Sequence, residues 1–153
     1  MCNEDELSLL ATANQFYEAA KIVHDAKFKP STIIPRYYLF SHSIELSYKS
    51  YLLHNGIPLR DLIQKYGHDL EKALDKAIRY EFLKNTNNPN EHIRVIKCLN
   101  QCYCKKEFEY LSLRKKSLPF IEDVDRVAKE ALCIAFDGID TSQYIPVLKD
   151  TSK

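Results

Sequence analysis

The residues best suited to acid–base chemistry lie on one predicted helix and on the connection that follows it. Tyr38, His42, Glu45 and Lys49 recur at steps of three or four, so on a helix they form a single row. A carboxylate beside an imidazole sets the tautomer of the ring, and His68 on the next connection adds a second proton-transfer group. Acid–base catalysis of a transfer reaction needs one group to remove a proton and another to donate one. His42 and His68 are therefore the candidate acid–base pair, with Glu45 as the group that orients them.

Cationic and aromatic side chains near this row are candidates for contact with a phosphate or a base. Lys49 and Tyr38 belong to the row, and Arg36 precedes His42 on the same predicted helix. The basic cluster of the chain, Arg114, Lys115 and Lys116, is a second candidate for RNA phosphates or for an acidic partner. A solvated stretch beside a helix start is the preferred interpretation of that cluster.

The same row also has structural interpretations, and the sequence favours them. Glu45 and Lys49 are spaced as an i,i+4 ion pair in the favourable orientation, on a partly wet margin of the helix. Alternatively, Glu45 holds the entry to the next helix by bonding the backbone or the imidazole at His68. Gly67 permits a sharp turn there and Asp69 can cap the helix, so only His68 is left unexplained. A buried His68 satisfied by Glu45 is preferred over a catalytic one.

Cys98, Cys102 and Cys104, with His92 shortly before them, raise the question of a metal. Zinc sites normally take pairs of ligands from two separate segments, and no second pair exists in the sequence. Packing of small thiols in the core is the preferred account, so we predict no metal and no cofactor. Phosphate-binding glycine loops, dinucleotide fingerprints, HExxH and nucleophile elbows are also missing from the sequence.

Length and composition indicate one ordinary globular domain. The chain has 153 residues, of which 45% are hydrophobic and 28% charged, with three glycines. A formal net charge of +1 creates no global attraction to nucleic acid or to a membrane surface. The chain has five cysteines, an odd number, and its polar and acidic start, MCNED, does not predict a secretory leader. No apolar run could span a bilayer. We therefore expect reduced thiols and a cytoplasmic location.

Helical periodicity and capping residues divide the chain into five main helices and one short one. The predicted boundaries are Asn3 as the first cap, a stop at Lys29-Pro30, Ser31 or Thr32 as the second cap, a stop at Gly56, a short helix from Leu59 to Tyr66, caps at Asp69 and Asn88, and a last helix from about Pro119 to Gly138. The predicted buried stripes are Leu9, Ala13, Phe16, Ala20 and Val23; Ile33, Tyr37, Phe40, Ile44, Tyr48, Tyr51 and Leu52; Leu70, Leu74, Ala77, Ile78 and Phe82; Ile93, Ile96, Leu99 and Tyr103; and Phe120, Val124, Val127, Ala131 and Ile134.

The run SHSIELSYKSYLL, then Gly56, then Tyr66-Gly67-His68-Asp69-Leu70, resembles the HEPN superfamily of small helical domains, in its phage-defence and uncharacterised branches. The resemblance covers residues 36–70. It implies an antiparallel helical bundle, frequent dimerisation and, in many members, metal-independent cleavage of RNA. Those nucleases carry an Arg and a His, separated by four to six residues, near the start of a late helix. Here no histidine follows Arg94, and the pair Arg36 and His42 lies on the second helix instead.

The sequence thus predicts an all-α, antiparallel up-and-down bundle of HEPN-like type in residues 1–139, followed by a surface tail in residues 140–153. Crowded tyrosines on the second helix and the resemblance together predict a homodimer. The preferred function is a non-catalytic or regulatory module. It would act through protein partners or bound nucleotide or RNA, in bacterial defence or toxin–antitoxin settings. The alternative is a metal-independent ribonuclease that uses His42, His68 and Glu45, with Arg36 or Lys49 against the phosphate.

Overall fold

Helices account for all of the regular secondary structure in the residues that the structure, a computed structural model, describes: 4–26, 33–110 and 117–139. They are α1 (Glu4–Asp25), α2 (Ile33–His54), α3 (Leu59–Asp61) continued by a π-helical turn (Leu62–Tyr66), α4 (Leu70–Ile78), α5 (Pro89–Tyr103), α6 (Glu107–Tyr110) and α7 (Ile121–Gly138). The all-α prediction is confirmed for these residues. The short helix α6 was not predicted. The predictions at Asn3, Lys29-Pro30, Ser31 and Thr32 and for the tail after Ile139 lie outside the described residues.

The second helix is the centre of the fold. Every residue from Ser43 to Ser50 is buried, so this stretch of α2 is covered on all sides. It packs against α1, α4 and α7. Phe40, Ile44 and Tyr48 are fully buried in the main core. A helix with this little solvent contact must place its polar side chains inside the protein, which is the origin of the polar clusters described below.

Serines on α2 let α1 approach closely. The Ser43 hydroxyl donates to the carbonyl of Ala13 at 2.7 Å, and the Ser50 hydroxyl donates to the carbonyl of Glu6 at 2.8 Å. These contacts set which face of α1 turns inward, and that face differs from the predicted buried stripe. Leu10 is fully buried although the stripe omitted it, whereas three predicted members are only partly buried: Leu9, Phe16 and Val23.

Helix ends follow local capping chemistry where the sequence predicted it. Gly56 has φ of +91°, and the amide of Ile57 donates to the carbonyl of Leu52 at 3.0 Å, which closes α2 with a left-handed cap. The side chains of Asp69 and Asn88 accept hydrogen bonds from the first turns of α4 and α5, respectively. Gly67, with φ of +49°, makes the turn that leads into α4.

Three predicted core residues at the ends of helices are exposed. Phe120 is 79% exposed and precedes α7, which begins at Ile121 rather than near Pro119. The carbonyl of Pro119 accepts a hydrogen bond from the buried Tyr37 hydroxyl at 2.6 Å, so this segment is tied to α2 before the helix starts. Ile33 and Ile78 are 40% and 37% exposed at the ends of their helices. An apolar stripe indicates which face of a helix turns inward, but it does not indicate how much of the length of that helix is covered by neighbouring helices.

Candidate functional site

A buried carboxylate on α2 is the centre of the candidate site. Glu45 is 3% exposed, and its two oxygens bind different partners. Oε1 accepts a hydrogen bond from Lys49 Nζ at 2.6 Å. Oε2 accepts one from the Tyr103 hydroxyl at 2.5 Å and lies 2.9 Å from His68 Nδ1. We call Glu45, Lys49, His42, His68 and Tyr103 the Glu45 cluster. Its members come from α2, from the turn before α4 and from the end of α5.

His42 joins the cluster through Tyr103. Its Nδ1 lies 3.0 Å from the Tyr103 hydroxyl and 3.8 Å from Glu45 Oε2, so the phenol oxygen is its direct partner. Phe16 packs edge-on against the His42 ring, and the Tyr38 ring stacks on it with an angle of 7° between the planes. Two aromatic rings therefore pack against the imidazole.

The hydrogen bonds assign the same tautomer to both histidines when they are neutral. A carboxylate only accepts, so His68 must donate from Nδ1 to Glu45. The Tyr103 hydroxyl has one proton, which it donates to Glu45, so its oxygen accepts from Nδ1 of His42. In each ring Nε2 then carries the lone pair, and Nε2 has no hydrogen bond within the described part of the chain. The side chains of His42 and His68 are 21% and 41% exposed.

The charge state of the cluster follows from burial and contacts. Burial acts to raise the pKa of Glu45, but its interactions with His42, Lys49 and Tyr103 outweigh burial and lower the pKa to about 2. Burial, followed by the charge of Glu45, raises the pKa of Tyr103 far above its usual value. Glu45 is thus an anion and Tyr103 a neutral donor throughout the physiological range.

The turn that carries His68 is held by α5 as well as by its own cap. Asn100 of α5 accepts from the backbone amide of Leu70 at 2.9 Å and donates to Oδ1 of Asp69 at 3.0 Å. Asp69 also accepts from the amide of Lys72 at the first turn of α4. This bridge places the entry of α4, and with it His68, beside the end of α5. Neither Asn100 nor Tyr103 was singled out as a site residue.

The structure brings together five of the predicted site residues. Tyr38, His42 and Glu45 lie on one side of α2, and His68 joins them from the turn before α4. Lys49 is also present, but it is buried rather than on a wet margin, because α2 is covered there.

Arg36 lies against α1. Its guanidinium lies 3.4 Å from Nδ1 of His24 on α1. Arg114, Lys115 and Lys116 lie outside the described residues.

A second buried polar group surrounds His92, which the sequence suggested only as a metal ligand. The Tyr48 hydroxyl lies 2.6 Å from His92 Nε2, and Glu130 Oε1 lies 2.6 Å from His92 Nδ1. Burial lowers the pKa of His92 despite the neighbouring Glu130 carboxylate. Cys102 is buried in the core, as expected of a packing thiol. Among the described residues, no group of three or more His, Cys, Asp and Glu side chains could hold a metal ion.

Comparison of the chain with models of known protein families, with curated proteins and with solved structures gave no match. Within the described residues, no helix is both long and apolar enough to cross a membrane.

Proposed function

We propose that the Glu45 cluster is an acid–base site that cleaves RNA without a metal ion. The observation that carries this proposal is the convergence of two partly exposed imidazoles on one buried carboxylate. His68 contacts Glu45 directly and His42 contacts it through Tyr103. Both rings are held by Nδ1, so both offer Nε2 for proton transfer.

Transesterification uses the two rings in opposite protonation states. Neutral His68 removes the proton of a 2′-hydroxyl through Nε2, and the freed oxygen attacks the adjacent phosphorus. The bond from phosphorus to the 5′-oxygen breaks, and protonated His42 donates its Nε2 proton to that leaving oxygen. The products are a 2′,3′-cyclic phosphate and a 5′-hydroxyl. We assign the base role to His68 because its direct bond to the Glu45 anion stabilises the imidazolium that forms.

Tyr38 is the proposed binding surface for a base. Its ring is partly exposed and lies parallel to His42 at 5.8 Å between centroids. A flat ring beside the proton donor offers a sequence-tolerant stacking contact for a nucleotide. Lys49 is not available for the phosphate because its ammonium group is bonded to Glu45. The phosphate charge would instead be met by the protonated imidazole.

A second candidate function is the non-catalytic module that the sequence favoured. It is supported by the internal pairing of Lys49 and by a formal net charge of +1, since a nuclease site usually offers free cations to the phosphate. As a non-catalytic module, the protein uses the cluster to bind RNA or a nucleotide, or to support a protein interface, in a bacterial defence or toxin–antitoxin system. The Glu45 contacts would then be mainly structural.

The HEPN-like antiparallel bundle, the homodimer and the cytoplasmic location remain part of the proposal. The resemblance of residues 36–70 supports the bundle and the dimer. Within the described residues, Cys98 and Cys133 form no disulfide, which supports a reducing compartment.

Cleavage of a fluorescent single-stranded RNA in EDTA tests the proposal. We expect EDTA-resistant cutting by the wild type and a loss of about 100-fold or more in His42→Ala and in His68→Ala. His54→Ala is the matched control, because His54 lies at the far end of α2 and pairs with Glu6. Products should end in a cyclic phosphate.

Binding of the same RNA, measured by fluorescence anisotropy, separates the two candidates. Binding without cutting by a folded wild type supports the non-catalytic module and rejects the nuclease. Cutting that survives in both histidine variants also rejects the nuclease site as assigned.

A further inference from the structure

A pocket of about 520 Å³ lies between the segment that joins α4 to α5 and the last turns of α7. Its volume is within the range of about 300–1,000 Å³ that is typical of small-molecule sites. Tyr51 of α2 contributes an apolar wall, and its ring packs edge to face with the buried Phe82 ring at 4.8 Å between centroids. This pocket does not include any residue of the Glu45 cluster.

The ionisable groups that line the pocket are mostly acidic. Glu81, Glu130 and Asp137 provide three carboxylates, and Lys84 is the one cationic side chain among the lining residues that the structure describes. Cys133 also lines the pocket, and partial burial raises the pKa of its thiol, so it adds no charge at neutral pH. The pocket therefore has negative potential and disfavours anionic ligands.

Glu130 is the carboxylate with a fixed position. Its Oε1 accepts the Nδ1 proton of His92 at 2.6 Å, and the opposite ring nitrogen of His92 accepts from the Tyr48 hydroxyl at 2.6 Å. Both nitrogens of the fully buried ring are thus satisfied in its neutral form. The remaining oxygen of Glu130, Oε2, has no hydrogen bond in the described part of the chain, and the side chain is 29% exposed.

We propose that this pocket binds a small organic cation, namely an amidinium, guanidinium or primary ammonium group on a compact apolar body. The cationic group pairs with Glu130, and the apolar body packs against Tyr51. A preorganised carboxylate beside an aromatic ring suits such a ligand, because neither the anion nor the wall must reorganise on binding. The site is separate from the acid–base site: His92 and Tyr103 mark opposite ends of α5, about 16 Å apart along its axis.

Benzamidine and benzamide are the probes, because they share size and shape but only benzamidine is charged at pH 7. Ligand-observed NMR titration of the full chain should show saturable binding of benzamidine and at least tenfold weaker binding of benzamide. Glu130→Gln should weaken benzamidine binding at least tenfold, because the amide oxygen still accepts from His92 while the charge is lost. Lys84→Gln should strengthen binding several-fold, because it removes the nearby positive charge.

Glu122→Gln is the matched control for Glu130→Gln, since Glu122 is an exposed acid in the first turn of the same helix. It should leave benzamidine affinity unchanged. The proposal is wrong if the folded wild type does not bind benzamidine, if benzamide binds equally well, or if Glu122→Gln weakens binding as much as Glu130→Gln does. Far-UV circular dichroism of each variant establishes that it is folded.

Discussion

The Tyr103 hydroxyl donates a hydrogen bond to Oε2 of Glu45 at 2.5 Å, although 58 positions separate the two residues in the sequence. This bond joins the middle of α2 to the end of α5 inside the core. It also leaves the phenol oxygen free to accept from His42. A single hydroxyl thus satisfies the carboxylate and sets the tautomer of one histidine, so the cluster depends on the packing of α5 against α2.

Removal of this hydroxyl should lower the free energy of unfolding. In Tyr103→Phe, the buried Glu45 carboxylate and Nδ1 of His42 each lose a partner, and bonds to charged groups contribute about 1.5–3 kcal/mol. Urea denaturation at pH 7 measures the loss. Tyr66→Phe is the control, because the Tyr66 hydroxyl has no hydrogen bond in the described residues. Equal effects of the two substitutions would contradict the role assigned to Tyr103.

Glu45 should make stability depend on pH between about 4.5 and 2. Its pKa is about 2 in the folded protein, against 4.5 for an ordinary glutamate. The unfolded chain therefore binds more protons in this interval, so the free energy of unfolding falls as the pH falls. The contribution of Glu45, up to about 3 kcal/mol, is complete above pH 4.5 and is lost as the pH approaches 2.

The double variant Glu45→Gln/Lys49→Met tests this linkage without leaving a buried unpaired charge. Urea denaturation from pH 6 to pH 2.5 should show a shallower pH dependence than in the wild type. Glu122→Gln, at an exposed position, should keep the wild-type dependence. An unchanged slope in the double variant would show that other carboxylates control acid unfolding.

Gly138 is needed because α7 passes close to the Tyr51 ring. A Cβ atom at Gly138 would lie 2.9 Å from Cε2 of Tyr51, and the Tyr51 hydroxyl is bound to the carbonyl of Tyr80 at 2.7 Å. The ring cannot easily move, so Gly138→Ala should destabilise the protein by about 1–3 kcal/mol. In a Tyr51→Ala background the clash is gone, and the same substitution should be neutral or stabilising because alanine favours helix. A double-mutant cycle by urea denaturation measures the change in the free energy of unfolding caused by Gly138→Ala in each background. An equal loss of stability in the two backgrounds would exclude the clash.

Glu81 occupies a backbone conformation that favours glycine. Its φ is +66°, and the amide of Phe82 donates to the carbonyl of Ala77 at 3.1 Å, which closes α4 as Gly56 closes α2. Glu81→Gly should therefore raise the free energy of unfolding by about 0.5–1 kcal/mol relative to Glu81→Ala, which also removes the carboxylate but keeps a Cβ. Thermal denaturation of the two variants gives the difference. A less stable glycine variant would mean that the entropy of the unfolded chain outweighs the relieved strain.

Local features of the sequence determined the main helices and several of their ends. Gly56, Asp69 and Asn88 act on the backbone within a few residues of themselves, so their capping roles depend on little else. The spacing of His42 and Glu45 on one helix likewise places them side by side in any fold that keeps α2 helical. The burial of Phe40, Ile44 and Tyr48 follows from the same regular geometry.

Only the tertiary structure decided what these residues touch. His68 and Tyr103 meet Glu45 across 23 and 58 positions, and Glu130 meets His92 across 38, so each contact depends on how whole helices rotate and cross. Periodicity defines which face of a helix is apolar, but a polar residue on a fully covered helix is buried as well. Lys49 was predicted to lie on a wet margin of α2, but it forms a buried ion pair with Glu45. The spacing along α2 does not encode this burial, because packing by neighbouring helices is a property of the whole fold.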